Sequence, residues 1–301
     1  MLLSRNEDKM TKKIRQVVPY IFLFLGLYLL STVGTYMFLY YNEIHKSQET
    51  FDDIHDLVED TGDPAGNSKI KLGNDEGGNA LPVRTKKDFS KLLEENSDFV
   101  GWIEVPETRI DYPVMFTPSD EEYYLHRNFY KNYDYSGVPF CNKVSDPEKP
   151  SNNIVIYGHH MRSGTMFYDL SLFKEESFYK DNKYFYFDTI HRTGTYEIVA
   201  VVLTHVNQGC FNYWELEDDK ESFDSYVSFL KSNALYHTDG IDDVEYGDKL
   251  VTLSTCSYHV TNGRLIVVGK LVDTDDIDLI NNKTDHVKDF EKTTETVYTK
   301  D

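Results

Sequence analysis

Eight short apolar runs, several of them alternating apolar and polar residues, constrain this chain more than any other feature. They fall at Val100–Val105, Ile110–Met115, Gly137–Asn142, Asn153–Tyr157, Lys183–Thr189, Thr195–Val206, Lys249–Thr255 and Arg264–Val272. Runs of this length and period read as strands. Eight strands with few helices in about 190 residues imply one mainly β domain, and the pattern alone leaves sandwich and closed barrel open. Two helical stretches accompany them. Thr85-Lys86-Lys87-Asp88 resembles a capping box ahead of Phe89, Leu92 and Leu93. Glu221–Asn233 carries Phe223, Tyr226, Val227 and Leu230 at i, i+3, i+4 and i+7, a stripe that packs against a core and is expected to buttress a groove wall. No internal repeat is present.

The segments outside this domain differ sharply from it. Val17 to Asn42 contains no charged residue. Its core, Tyr20 to Tyr40, would span about 31 Å as a helix, which matches a bilayer core of roughly 30 Å. Arg5, Lys9, Lys12, Lys13 and Arg15 precede the apolar stretch, against only Glu7 and Asp8, and an acidic run from Glu43 to Asp60 follows it. The excess of Lys and Arg predicts a cytoplasmic amino terminus (1–16), a single-pass anchor (17–41) and an extracellular body. The stretch is longer than a typical signal-peptide core and no A-x-A site follows, so an uncleaved anchor is expected rather than a cleaved leader. Residues 42–84 are polar and glycine-rich and read as a flexible tether, with a reach of about 34 Å for its main part. The domain proper is expected at 85–273, followed by an acidic tail at 274–301.

A formal net charge of −20 excludes a basic nucleic-acid groove. Three cysteines, Cys141, Cys210 and Cys256, leave at least one free thiol. Cys141 and Cys210 read as structural residues, with a disulfide between them left open. No histidine spacing suggests a metal site, and neither metal nor cofactor is expected.

Three reactive side chains stand at the ends of apolar runs. Val251 and Leu253 alternate with Thr252 and Ser254 and deliver Cys256; Asn153–Tyr157 leads to Gly158 and His159; Arg264 opens Leu265–Val268. Each is ordinary alone: a cysteine after a strand is usually a small buried hydrophobe. Together they suit acyl transfer. A thiol with a reference pKa near 8.5 is only about 3% thiolate at pH 7, so it needs a neighbouring imidazole, and a guanidinium can hold a developing oxyanion. His159 and His160 are neighbours, and in extended backbone at most one of them can face Cys256.

The run Thr252-Leu253-Ser254-Thr255-Cys256 resembles the T-L-x-T-C signature of sortases, the cysteine transpeptidases of Gram-positive cell surfaces. Gly158-His159 upstream and Arg264 on the next strand fit the same family in the same order. Tyr157-Gly158-His159-His160-Met161 with Gly164-Thr165-Met166-Phe167, the segment Glu122–Phe129, and a helix in the slot of Glu221–Asn233 resemble class B. The resemblance covers roughly Phe89 to Val272. It implies a closed eight-stranded barrel with a few peripheral helices, His159, Cys256 and Arg264 as the catalytic groups, and Tyr157, Ser254 and Thr255 as substrate-binding positions. It also implies an activity: cleavage of a carboxyl-terminal sorting signal of exported proteins after Thr through a Cys thioester, and transfer to a peptidoglycan amine. A membrane-tethered cysteine hydrolase or a pilin-assembling sortase would use the same three groups.

Overall fold

The structure, a computed structural model, describes residues 2–60, 87–147, 151–206, 216 and 219–276. It divides into two units, 1–49 and 50–301. The first is carried by helix α1, Leu2–Leu57, which continues into the second. From Arg15 onward α1 is long and apolar enough to cross a membrane, and Leu23, Leu30 and Phe38 point outward. Thr32 and Thr35 donate their hydroxyls to the carbonyls of Leu29 and Ser31 at 2.8 and 2.9 Å, so the helix satisfies its own polar side chains.

The second unit is the expected barrel. Its strands are β3 (Phe99–Glu104), β4 (Asp111–Met115), β5 (Phe140–Cys141), β6 (Asn153–Tyr157), β7 (Tyr184–Thr189), β8 (Arg192–His205), β9 (Leu250–Cys256) and β10 (Gly263–Asp276). They close in the order β10-β8-β7-β3-β4-β5-β6-β9. The neighbours are antiparallel except β4 with β5 and β6 with β9, which run parallel. Two-residue alternation sorts the side chains. Ile154 and Ile156, Val251 and Leu253, and Leu265 and Val267 fill the main core, while Val155, Leu250, Ile266 and Val268 face the other way.

Helix α4 (Lys220–Asn233) covers part of that outer face. Asp219 caps it, accepting from the Ser222 amide at 3.0 Å. Its stripe of Phe223, Tyr226, Val227 and Leu230 is buried against Val199, Ala200 and Val202 of β8 and the outward residues of β9 and β10. A buried hydrogen-bond chain, Tyr226 Oη to Thr252 Oγ1 and Thr252 Oγ1 to Asn153 Oδ1, each 2.8 Å, ties α4 to β9 and β6.

Three boundaries depart from the sequence reading. Residues 42–57, expected within the flexible tether, continue α1, because Phe51 and Ile54 find a core to enter: Ile54 is fully buried and Phe51 meets the Tyr112 ring edge-on at 5.0 Å. His55 packs edge-on to Trp102 at 5.0 Å and bonds the Asp111 carbonyl at 3.0 Å. Beyond α1 a two-residue strand, β1 (Glu59–Asp60), pairs with β2 (Lys87–Asp88). Helix α2 (Ser90–Glu95) starts on Asp88, whose carboxylate accepts from the Ser90 amide and hydroxyl at 2.9 and 2.6 Å; the Thr85 of the expected capping box lies outside the described residues. Strand β10 runs to Asp276, into the expected tail, because it pairs with β8 as far as Arg192. The glycine-rich part of the tether, residues 277–301 and Cys210 lie outside the described residues; Cys141 is a buried free thiol.

If residues 50–57 belong to the core, truncating Ile54 creates a cavity. Ile54→Ala should lower the unfolding free energy by about 2–5 kcal/mol, whereas a tether position would move it by about 0.5 or less. Denaturant unfolding of the full chain in detergent, followed by tryptophan fluorescence, checks this.

Candidate active site

The register of three adjacent strands assembles the site. Cys256 of β9 lies directly opposite Arg264 of β10, so their side chains share one face with Cβ atoms about 4.5–5.5 Å apart. On the other side of β9, Tyr157 of β6 is level with Ser254. Two residues further along both chains come His159 and Cys256. The backbone keeps this alignment past the end of β6: the Gly158 amide donates to the Ser254 carbonyl at 3.1 Å, and the Thr255 hydroxyl donates to the Gly158 carbonyl at 2.8 Å. His159, Cys256 and Arg264 therefore form one row, and Tyr157 and Ser254 belong to the row below.

These five residues line a cleft of about 490 Å³ whose walls include Leu125, Val138, Phe140 and Val144, with Glu121, Glu122 and Lys143 contributing charge. The cleft occupies the same outer face of the barrel as α4. No residue of α4 is among those lining it, so the helix packs the sheet beneath the cleft and does not form its wall as expected.

His159 is held on every side. A carbonyl can only accept, so the 2.8 Å contact between His159 Nε2 and the Leu125 carbonyl places a proton on Nε2 and leaves Nδ1 free. The Phe167 amide donates to the His159 carbonyl at 2.9 Å. A Cβ on Gly158 would collide with the Phe167 ring, so glycine is required for that close approach. Burial lowers the pKa of His159; the Leu125 carbonyl works against that shift and the neighbouring His126 adds to it. Leu125 sits on a single 3₁₀ turn, Tyr123–His126. That turn is anchored by fully buried Tyr124, which donates to Asp98 and accepts from Asn96, both at 2.8 Å. Gly137 (φ +60°) passes so close that a Cβ would strike the Tyr124 and Leu125 carbonyls.

The other expected positions separate clearly. His160 is not among the cleft residues, its ring against Tyr168 and Tyr258 at 4.7 and 5.6 Å and its buried Nδ1 without a hydrogen-bond partner among the described residues. His259 contacts the Ser257 hydroxyl at 3.0 Å and is not among the cleft residues. Tyr157 borders the cleft with its hydroxyl accepting from Asn142 at 3.0 Å, and Ser254 borders it nearly buried. Thr255 turns to the opposite face, where its hydroxyl secures Gly158. The Leu125 carbonyl, His126 and Asn142 were not singled out from the sequence. A backbone carbonyl has no side-chain signal; only the likeness of the Glu122–Phe129 segment pointed there. Among the described residues no cluster suited to a metal ion occurs.

Because the folded state resists protonating His159, the unfolded chain binds a proton the native one refuses. Stability should therefore fall as pH drops through the ordinary imidazole value near 6.5 toward the lower native value. Burial and the Lys174 charge shift His160 and His259 in the same direction. The denaturation midpoint should decline between pH 7 and 5 at constant ionic strength, and His159→Gln should decline less steeply than the unsubstituted protein.

Comparison with known proteins bears on the family. The family model described as the sortase domain matches residues 103–272. Sortase B of Listeria monocytogenes is 33% identical over 189 residues, covering 62% of this chain and 73% of that protein. Sortase B of Staphylococcus aureus is 30% identical over 192 residues, covering 62% and 75%. Among solved structures, sortase B from B. anthracis in complex with AAEK1 superposes with a TM-score of 0.59 at 26% identity, over 77% of this chain and 99% of that one. Clostridium perfringens sortase B gives 0.53 at 34% identity, over 60% and 98%. With a matched domain that spans more than half of its length and carries the row of thiol, imidazole and guanidinium, the chain belongs to the sortase family of cysteine transpeptidases, alongside its class B members.

Proposed function

We propose that this sortase is a single-pass membrane enzyme, its amino terminus cytoplasmic and its barrel outside, that cleaves exported proteins at a carboxyl-terminal sorting signal and joins them to a peptidoglycan amine. The observation that carries the reading is the row His159–Cys256–Arg264 at one cleft, set by the pairing of β6, β9 and β10. The Cys256 thiol passes its proton to Nδ1 of His159, and the thiolate attacks the carbonyl carbon of the signal's threonine. The C–S bond forms, and the oxyanion is held by the Arg264 guanidinium. As the C–N bond breaks, His159 gives its Nδ1 proton to the departing amine. An incoming amine then loses a proton to His159 and attacks the thioester, which restores the thiol and leaves a new amide. No cofactor enters these steps.

Tyr157 and Ser254, in the row below the thiol, are placed to meet the bound signal peptide. Thr255 acts on the substrate only through Gly158, by holding the strand that carries His159. The apolar helix and the Lys and Arg residues before it support the anchor and its orientation.

Mass spectrometry with a sorting-signal peptide tests the assignment. The unsubstituted enzyme should accumulate an adduct heavier by the peptide's amino-side fragment through the threonine acyl group, and Cys256→Ala should show none. Arg264→Ala should retain the thiol and acylate roughly 10²–10³-fold more slowly, as loss of an oxyanion donor does elsewhere. Adding a peptidoglycan-type amine should divert product from hydrolysis to ligation; release of free acid alone at saturating amine would instead mark a hydrolase.

A further inference from the structure

The His159 ring has a neighbour that the acyl-transfer mechanism does not use. The ring of His126 stacks on it with centroids 5.3 Å apart and planes 22° from parallel. On its own far side His126 stacks on Tyr135, at 5.9 Å and 14°, and its Nδ1 contacts the Tyr135 carbonyl at 3.4 Å. His126 and Tyr135 are both exposed, whereas His159 is half-buried. Three rings thus run in a ladder from solvent to the cleft. Two of them are imidazoles, and His126 directly follows Leu125, whose carbonyl holds the innermost ring.

We propose that His126 is a positioning residue for His159: its ring, braced by Tyr135, fixes the plane of the His159 imidazole, and its protonation opposes a second proton on that imidazole. The proposal rests on His159 being the acid–base group. The Nε2–H bond to Leu125 fixes one point of the ring but leaves it free to roll about that bond. A flat neighbour against one face removes that freedom and holds the imidazole plane in one orientation. An aliphatic or small side chain cannot supply a plane. Charge acts through the same contact. A positive charge on His126 opposes a second one on the ring stacked against it. The direction agrees with the contribution of His126 to the lowered pKa of His159.

Other groups face His159 and must be held constant. These are Cys256 from β9, Arg264 from β10, Tyr157 from β6, and Glu121, Glu122 and Lys143 from the walls of the cleft. None is altered by replacing His126, so a pair of substitutions isolates the plane from the charge. His126→Phe keeps a flat ring and removes the charge; His126→Ala removes both.

Proton NMR titration of the His159 ring in the reduced, substrate-free enzyme measures the charge effect without turnover. Both variants should raise its midpoint relative to the unsubstituted protein, and 0.5 M salt should shrink that difference. Steady-state cleavage of a sorting-signal peptide, with each enzyme at its own pH optimum, measures the plane. His126→Phe should keep kcat within about twofold, while His126→Ala should lose about fivefold in kcat with KM unchanged. Midpoints that stay within about 0.2 unit of the unsubstituted value overturn the proposal. Equal kcat values for the Phe and Ala variants overturn it as well. Should His126→Ala fold poorly, the Phe variant still decides the charge effect. Failure of the transpeptidase reading would show separately, as absence of any thioester on the unsubstituted enzyme.

Discussion

The pairing register of β6, β9 and β10 is the constraint on which the rest of the structure depends. Strand side chains alternate between faces, so a slip of one residue in β9 would turn Cys256 into the barrel and bring Thr255 out. Two kinds of contact prevent it. Val251 and Leu253 would have to leave the core they share with Ile154, Ile156, Leu265 and Val267. The Tyr226–Thr252–Asn153 chain and the Thr255–Gly158 bond would also break, leaving buried polar groups without partners. The chemistry of the cleft is thus secured by residues that never touch it.

One face of the barrel serves two purposes in successive rows. Where α4 lies, the outward residues Val155, Ile266 and Val268 are apolar and covered. Beyond the end of α4 the same strands present Ser254, Cys256 and Arg264, and the face is left open to form the cleft. Beside that opening His159 is buried enough to be held below the pKa of an exposed imidazole. The Leu125 carbonyl compensates in part by fixing one tautomer, with the proton on Nε2 and Nδ1 left without one.

The end of α1 adds a structural element that composition concealed. Thr50–Leu57 is acidic and polar for the most part, yet Phe51 and Ile54 are spaced three apart and reach the core together. Around them Trp102 donates to Asp111 at 2.5 Å, and Lys87 bonds Glu104 and Asp111 at 2.9 and 3.3 Å while lying over the Trp102 ring. A pair of apolar residues in an acidic stretch is too weak a periodic signal to distinguish a docked helix from a tether without knowing what waits to receive it.

The strands, the α4 stripe and the three reactive residues were legible in the chain, because each rests on local order: a period of two, a period near four, and groups placed at the ends of runs. The helix that enters the core at Ile54 and the length of β10 were not, since both depend on a partner surface distant in sequence. Likeness to a family pointed to His159 and not His160; in the structure His159 borders the cleft while His160 lies against Tyr168 and Tyr258, with Thr255 and Gly158 carrying the β6–β9 alignment past the last strand pair. The stacking of His126 and the carbonyl of Leu125 belong wholly to the tertiary structure. The sequence by itself determined which chemical groups are available and that they end strands. Only the fold decided that they share a row, because residues a hundred positions apart become neighbours through hydrogen-bond register, which no local pattern encodes.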